Sequence, residues 1–343
     1  MNPMVTSLVM SSLALGTIVT MSSFHWMLAW AGLELNTLAI IPIIAKRHHP
    51  RATEAATKYF LTQAAASATV LFSSTMNAWS TGTWDITQIT NPTACIMLTM
   101  ALSMKLGLAP MHFWLPEVLQ GSSMKTALII TTWQKLAPMA LLYLTQQTLH
   151  PTTLLTMGLL STIIGGWGGL NQTQTRKIMA FSSIANLGWM MTILTLTPNI
   201  MLLNLTLYLL MTTSTFMILL FSSSKTIKDL TTTWTISPTI ATATLILLMS
   251  MGGLPPLTGF MPKWLILQEL THHNFTMTAT ILALSSLLSL FFYLRLSYTT
   301  ALTLPPTTTQ NKHKWRFYPK LKSTLMTSTL ITSLFMLPLT PML

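Results

Sequence analysis

Met104-Lys105-Leu106-Gly107-Leu108-Ala109-Pro110-Met111-His112-Phe113-Trp114-Leu115-Pro116-Glu117 is the stretch on which the fold turns. It lies inside an apolar run that begins near Pro92 and carries a lysine well inside it. A cation at the centre of a bilayer costs ~2.5–3.5 kcal/mol on insertion scales. Pro110 and Pro116 each remove a backbone donor, which breaks or kinks a helix. Broken backbone is tolerated at membrane depth only where protein or a polar cavity covers it. A spanning segment with both features therefore reads as a functional site, and the rest of the chain as the structure that shelters it.

The composition agrees. The chain has 343 residues, 51% hydrophobic and only 7% charged, whereas a soluble domain carries roughly 25% charged residues. The fold class expected is an all-α polytopic membrane protein with two broken helices and an internal repeat. A barrel is excluded because its strands would alternate in polarity over ~10 residues. The single cysteine, Cys95, excludes a disulfide framework and a thiolate metal site. There is no Gly-rich phosphate loop, no ligand cluster and no nucleophile–base motif. No cofactor and no metal are expected in this chain. Met1-Asn2-Pro3 leads straight into an apolar run without a basic n-region, so no removable signal is expected.

Apolar windows place eleven spans near 3–22, 25–45, 56–79, 92–115, 123–145, 151–170, 177–196, 199–221, 238–262, 276–297 and 324–342. They form one transmembrane domain over 1–343, with N-terminal spans in 1–90, a first half in 92–222 and a second in 238–343. The cations sort by connection. Lys46, Arg47, Arg51 and Lys58 follow span two, Lys125 span four, Arg176 and Lys177 span six, and Lys225 and Lys228 span eight. Arg295, Lys312, Lys314, Arg316, Lys320 and Lys322 close the series after span ten. Odd-numbered connections hold no lysine or arginine. This is the positive-inside pattern, with the N-terminus on the basic side and the C-terminus opposite. The formal net charge of +12 is then a topology signal, aided by anionic lipid headgroups, and no nucleic acid is expected as a partner.

Three lysines fall outside that pattern, Lys105, Lys135 and Lys263, each inside an apolar segment near proline. Glu34 lies mid-way along span two. At ~4 Å and an effective dielectric of ~20, a Glu34–Lys105 pair attracts by ~4 kcal/mol, against a desolvation cost of similar size. Opening and closing such a pair would load and unload a proton. His112 is a candidate relay between Lys105 and Lys135, and His25 sits near the interface. Glu54 and Lys58 form an i,i+4 pair of structural character; the role of Glu117 is open. Leu108-Ala-Pro110-Met-His-Phe-Trp114-Leu-Pro116-Glu117 also lies over Leu254-Pro-Pro256-Leu-Thr-Gly-Phe260-Met-Pro262-Lys263, 146 residues on, with Leu, Pro, an aromatic and Pro in register. Proline-interrupted spans in matching halves point to a transporter's site.

Three stretches resemble a known family. Lys105 to Glu117, Thr175-Arg-Lys-Ile-Met-Ala-Phe-Ser-Ser-Ile-Ala-Asn-Leu-Gly188 and Gly253-Leu-Pro-Pro-Leu-Thr-Gly-Phe-Met-Pro-Lys263 are similar to segments of the antiporter-like membrane subunits of respiratory complex I. The resemblance implies a proton-translocating membrane-arm subunit of NADH:ubiquinone oxidoreductase, coupled to quinone reduction elsewhere, with no redox site of its own. It implies Glu34 as the carboxylate of a Glu–Lys pair, Lys105 as its partner, Lys135 as the central lysine and Lys263 as the lysine of the second broken helix. It implies the mitochondrial inner membrane, with the N-terminus on the matrix side and the C-terminus on the intermembrane-space side. Other membrane-arm subunits and membrane lipids, cardiolipin among them, are the expected partners. Fuller family members have fourteen spans; the first three are absent here, and a neighbouring subunit is expected to fill the gap. A self-contained cation/proton antiporter and a passive membrane scaffold are the alternative readings.

Overall fold

The computed structural model describes residues 3–47, 49–303 and 324–338, and every regular element among them is helical. The helices are α1 (Pro3–Ser22), α2 (Trp26–Ile44), α3 (Pro50–Thr81), α4 (Pro92–Leu106), α5 (Trp114–Gly121), α6 (Met124–Thr131), α7 (Trp133–Leu144) and α8 (Pro151–Gly169). They continue with α9 (Thr175–Ile193), α10 (Pro198–Phe221), α11 (Ile227–Thr231), α12 (Thr233–Ile236), α13 (Pro238–Gly252), α14 (Phe260–His272), α15 (Thr276–Leu302) and α16 (Thr324–Phe335). Each of the eleven apolar windows contains helix. Five segments among the described residues are long and apolar enough to cross a membrane by length and composition: α1, α2, Met124–Leu144, α10 and α15. The helices α4, α13 and α16 are apolar but shorter. The count of eleven is not reached on that measure, because α4 and α13 stop at glycine, and α3, α8 and α9 are diluted by charge, threonine or glycine. Lys312 to Lys322 lie outside the described residues.

The chain divides into two compact units, and the division passes through α8 and α9. The first unit holds Met1–Ile164 with Ser183–Pro198. In it α1 packs on α2, α2 on α3, α3 on α4 and α5, and α7 on α1 and α4. The second unit holds Gly165–Ser182 with Asn199–Leu343. There α15 packs against α11, α13 and α14, and α16 against α13. Arg295 of α15 donates to Leu170 O and Gln172 O, which caps the carbonyl end of α8 with a cation, the sign that end favours.

The two broken helices match in backbone. Both α4 and α13 are 15 residues long, begin on proline and end at a glycine of positive φ, Gly107 at 76° and Gly253 at 84°. Only glycine adopts that conformation without a steric penalty. In each, the glycine N–H donates back three residues, to Met104 O at 3.2 Å and Ser250 O at 3.0 Å. The next N–H donates back five, to Ser103 O at 3.0 Å and Met249 O at 3.4 Å. These paired bonds are the Schellman motif, which satisfies two of the end carbonyls and leaves later ones free. The helix restarts at Trp114 and Phe260, so the offset of 146 residues holds at 92 to 238, 106 to 252 and 114 to 260.

A third break lies where the sequence suggests one continuous span over 123–145. Thr131 Oγ1 turns back to Ala127 O at 3.0 Å, and Thr132 Oγ1 to Leu128 O at 2.7 Å. Side-chain oxygens that bond the preceding turn compete with the helix ladder. The regular helix is interrupted at Thr132, whose φ of −110° and ψ of −72° are distorted within the right-handed region, and resumes as α7. Lys135 therefore sits in the first turn of α7, not mid-helix.

Candidate functional site

The first unit's charged centre is built from four elements. The last turn of α4 supplies Lys105, the first turn of α7 supplies Gln134 and Lys135, α2 supplies Glu34 and Asn36, and α3 supplies Tyr59 and Gln63. Leu33, Asn36, Thr37, Tyr59, Gln63, Lys105, Trp114, Ile130, Gln134, Lys135, Ala137 and Pro138 line one cavity. About 10 Å³ of it is open to the centre of a water-sized sphere, close to the space one water needs.

Lys135 is 1% exposed, and its Nζ donates to Leu106 O. That carbonyl is one of those the Schellman turn leaves free. An ammonium there faces the negative end of α4, a favourable placement, whereas its own position at the start of α7 is the unfavourable end. Lys105 is 5% exposed, and its Nζ has no hydrogen-bond partner. Met104 O, beside it, accepts from Trp114 Nε1 at 3.0 Å, which ties the restarted helix α5 to the end of α4. Tyr59 meets the Trp114 ring edge-on at 5.7 Å.

Glu34 has one buried carboxylate oxygen without a partner. It is near enough for its charge to act on Lys105 and Tyr59, yet no Glu34–Lys105 ion pair within 4.0 Å forms among the described residues. His112 is buried, holds its Nδ1 3.2 Å from Pro110 O and packs on the Phe113 ring at 4.3 Å; it makes no hydrogen bond to either lysine. Ala109–Pro110 is a cis peptide.

Lys263 belongs to the second unit. It is half-buried in the first turn of α14, and its Nζ donates to Gly252 O at 2.9 Å. Gly252 is the repeat counterpart of Leu106, so the same carbonyl of each broken helix is held by a lysine. The lysines differ in origin: Lys135 comes from α7, and Lys263 from the restarted half of the broken helix itself. A Cβ at Gly253 would lie 3.0 Å from Lys263 Nζ, so that glycine also makes room for the ammonium.

Glu54 and Lys58 pair as their spacing suggests, at 2.6 Å, and Lys58 also holds Glu117 at 2.6 Å. All three are well exposed, so the contacts join α5 to α3 with little net energy. Asn36, Gln63 and Gln134 escape a reading that follows charge. The signal that finds them is an uncharged amide inside an apolar run, which must find a partner or a cavity. No group of three or more metal-ligating side chains occurs among the described residues.

Residues 23–289 match the family model described as NADH:quinone oxidoreductase/Mrp antiporter, TM, and residues 290–343 that of the NADH dehydrogenase subunit 2 C-terminus. NADH-ubiquinone oxidoreductase chain 2 of Varanus timorensis is 60% identical over 342 residues, 100% of this chain and 99% of that one. The Xenopus laevis protein of the same name is 58% identical over the same shares. Among solved structures, a chain of respiratory complex I from Thermus thermophilus with bound aureothin superposes with a TM-score of 0.84 at 26% identity, covering 98% of this chain and 80% of that one. The chain therefore belongs to the NADH-ubiquinone oxidoreductase chain 2 family, among the antiporter-like membrane-arm subunits of complex I.

Proposed function

We propose that this chain moves protons across the mitochondrial inner membrane, within an NADH:ubiquinone oxidoreductase whose quinone chemistry takes place in other subunits. The observation that carries the reading is the pair of buried ammoniums, Lys105 and Lys135, on one polar cavity with the Glu34 carboxylate close by. Burying an ammonium costs several kcal/mol unless it is paired, and a chain needing only an anchor has no use for two. Glu34, Lys105 and Lys135 carry the proton in the first unit. Lys263 is the carrier of the second, and His112 is a relay beside Lys105. The chain crosses the bilayer eleven times, with its N-terminus and basic connections on the matrix side and its C-terminus toward the intermembrane space. Neighbouring membrane-arm subunits and anionic lipids, cardiolipin included, are its partners, and no redox group binds to it.

Motion is what makes these groups carriers. A proton on Lys105 is favoured while the Glu34 carboxylate is near and disfavoured when it withdraws. Each proton moved against ~100 mV requires ~2.3 kcal/mol, within the range that making and breaking one buried ion pair supplies. The test is proton stoichiometry in the intact assembly: Lys105→Met and Lys135→Ala are expected to lower protons moved per quinone reduced, with assembly retained. Unchanged stoichiometry in both variants would sink the reading. Loss of assembly alone, with normal pumping in whatever assembles, would leave a scaffold.

A further inference from the structure

One charged cluster has no part in the carrier path. Lys58 Nζ lies 2.6 Å from Glu54 Oε1 on its own helix and 2.6 Å from Glu117 Oε2 on α5, so one cation serves two carboxylates. The charge of Arg51, in the first turn of α3, acts on Glu54 as well. Among the described residues Glu117 pairs with Lys58 alone. This is the side of the basic connections: Arg51 and Lys58 follow span two, and Lys125 follows α5. The cluster is also one helical turn from the wall of the polar cavity. Tyr59 comes directly after Lys58, and Trp114 three residues before Glu117. Both line the cavity, and their rings meet edge-on at 5.7 Å. Lys105, 5% exposed and with Nζ unpaired, lines the same cavity. The helix α5 is pinned at both ends. Trp114 Nε1 donates to Met104 O at 3.0 Å, and a Cβ at Gly121 would lie 2.6 Å from Arg51 O, so there the backbones touch. Between these pins the α3–α5 seam is bridged by the Lys58 side chain, whose release moves a side chain and not a helix.

We propose that Glu117 is the carboxylate that takes up protons on the basic side, and that Lys58 is a side-chain gate between it and the polar cavity. At rest Lys58 holds both carboxylates and closes the seam. A hydronium ion then gives its proton to Glu117: one O–H bond of the hydronium breaks, the electron pair stays on the departing water, and the proton bonds to Glu117 Oε2. The neutral acid no longer attracts Lys58, which stays paired with Glu54 and so keeps a counter-charge. Glu117 is the one to accept, because it gives up the attraction of one cation where Glu54 would give up two. With the seam open, the Glu117 O–H bond breaks toward a water on the cavity side, which carries the proton inward. The ionised carboxylate recaptures Lys58. Glu117 begins and ends the cycle ionised, so protons and electrons balance and no other reactant is needed. A weak contact suits the task, since an exposed pair opens at little cost. The inference rests on the proton-carrier reading and names the entrance to that path.

Protons moved per quinone reduced, measured in the intact assembly, test it. Glu117→Gln cannot take up a proton and is expected to lower that ratio as far as Lys105→Met does, because both variants close one path. Glu117→Asp, which keeps the carboxyl group, restores most of it. An unchanged ratio in Glu117→Gln beside a lowered one in Lys105→Met would overturn the inference and leave the function standing. An unchanged ratio in both removes the function, and this inference with it. Equal losses in Glu117→Gln and Glu117→Asp would make Glu117 a spacer between helices and overturn the uptake role. If the Gln variant fails to assemble, the unmodified assembly decides. Structures captured at rest and during turnover are expected to show Lys58 on both carboxylates at rest and on Glu54 alone in a turnover class. Lys58 held to Glu117 in every class would overturn the gate.

Discussion

The two units hold cavities of opposite character. That of the first unit is lined by unpaired amides and two ammoniums. That of the second is lined by Met179, Ile218, Leu219, Leu230, Leu247, Leu248 and Leu296, with three threonines. Those threonines have their hydroxyl donors engaged elsewhere: Thr175 Oγ1 donates to Lys225 O at 3.1 Å, Thr215 Oγ1 to Thr212 O at 2.9 Å and Thr244 Oγ1 to Ala241 O at 2.6 Å. Yet α4 and α13 share length, start, turn and restart. Backbone repetition and chemical repetition have separated. The counterpart of Lys105 is the buried Met251, and that of Lys263 is the exposed Glu117. What survives in both units is a lysine on the carbonyl that the broken helix leaves free, because an unpaired buried carbonyl is costly whichever element repairs it.

The contrast can be broken most forcefully at Leu247. Leu247→Ala should cost ~2–5 kcal/mol as a buried leucine deletion, read from thermal unfolding of the assembly. The widened space should bind xenon and stay dry, as apolar cavities do. Ordered water there would erase the difference between the units.

A smaller effect is expected at the paired glycines. Gly253→Ala meets the positive-φ penalty of ~1–2 kcal/mol and pushes on Lys263 Nζ as well. Gly107→Ala meets the same penalty at φ 76°, and its new Cβ presses on the Leu115 and Trp114 side chains, at 3.1 and 3.3 Å, with no ammonium beside it. Gly253→Ala should therefore be the more damaging of the two in unfolding temperature and in pumping. Equal losses would mean that the ammonium contact adds nothing.

Next comes Thr226, which caps α11 in a reciprocal box with Asp229. Thr226→Ala should weaken that turn by ~1 kcal/mol, measured by amide exchange. Burial opposes ionisation of Asp229, but N–H groups of Thr226 and Lys225 at 2.8 and 2.9 Å outweigh it and hold its carboxyl below the ordinary value of 3.8. A depressed folded value means the stabilisation is complete above that ordinary value and is lost as pH falls through the folded one. Protection of the Lys225 and Thr226 amides should hold at pH 6 and fall on acidification below about pH 4. No counterpart of this box occurs in the first unit among the described residues, so its exchange there should not follow the same titration.

The smallest effect belongs to Lys58. Lys58→Met should cost ~0.2–1 kcal/mol in unfolding, and the loss should shrink in high salt, as exposed ion pairs do. A larger, salt-independent loss would show that the junction of α5 with α3 depends on this contact.

Much of this was legible in the residues themselves. Length and near-absence of charge imposed helices in apolar windows, and Pro110 with Pro116 and Pro256 with Pro262 marked both breaks, because proline acts on the backbone directly. The burial of Lys105 and Lys135 followed from their apolar neighbours. The break at Thr132 was not legible, since threonine bonds its own turn in many helices without ending them. Nor was the contact of Lys135 with Leu106 O, or the company of Asn36 and Gln63, because these join residues far apart in the chain. Sequence alone determined which segments leave water and which backbone groups must then be paired, for both are properties of local composition. Tertiary packing decided which side chain does the pairing and which cavity is polar, for these depend on distances that only the folded helices set.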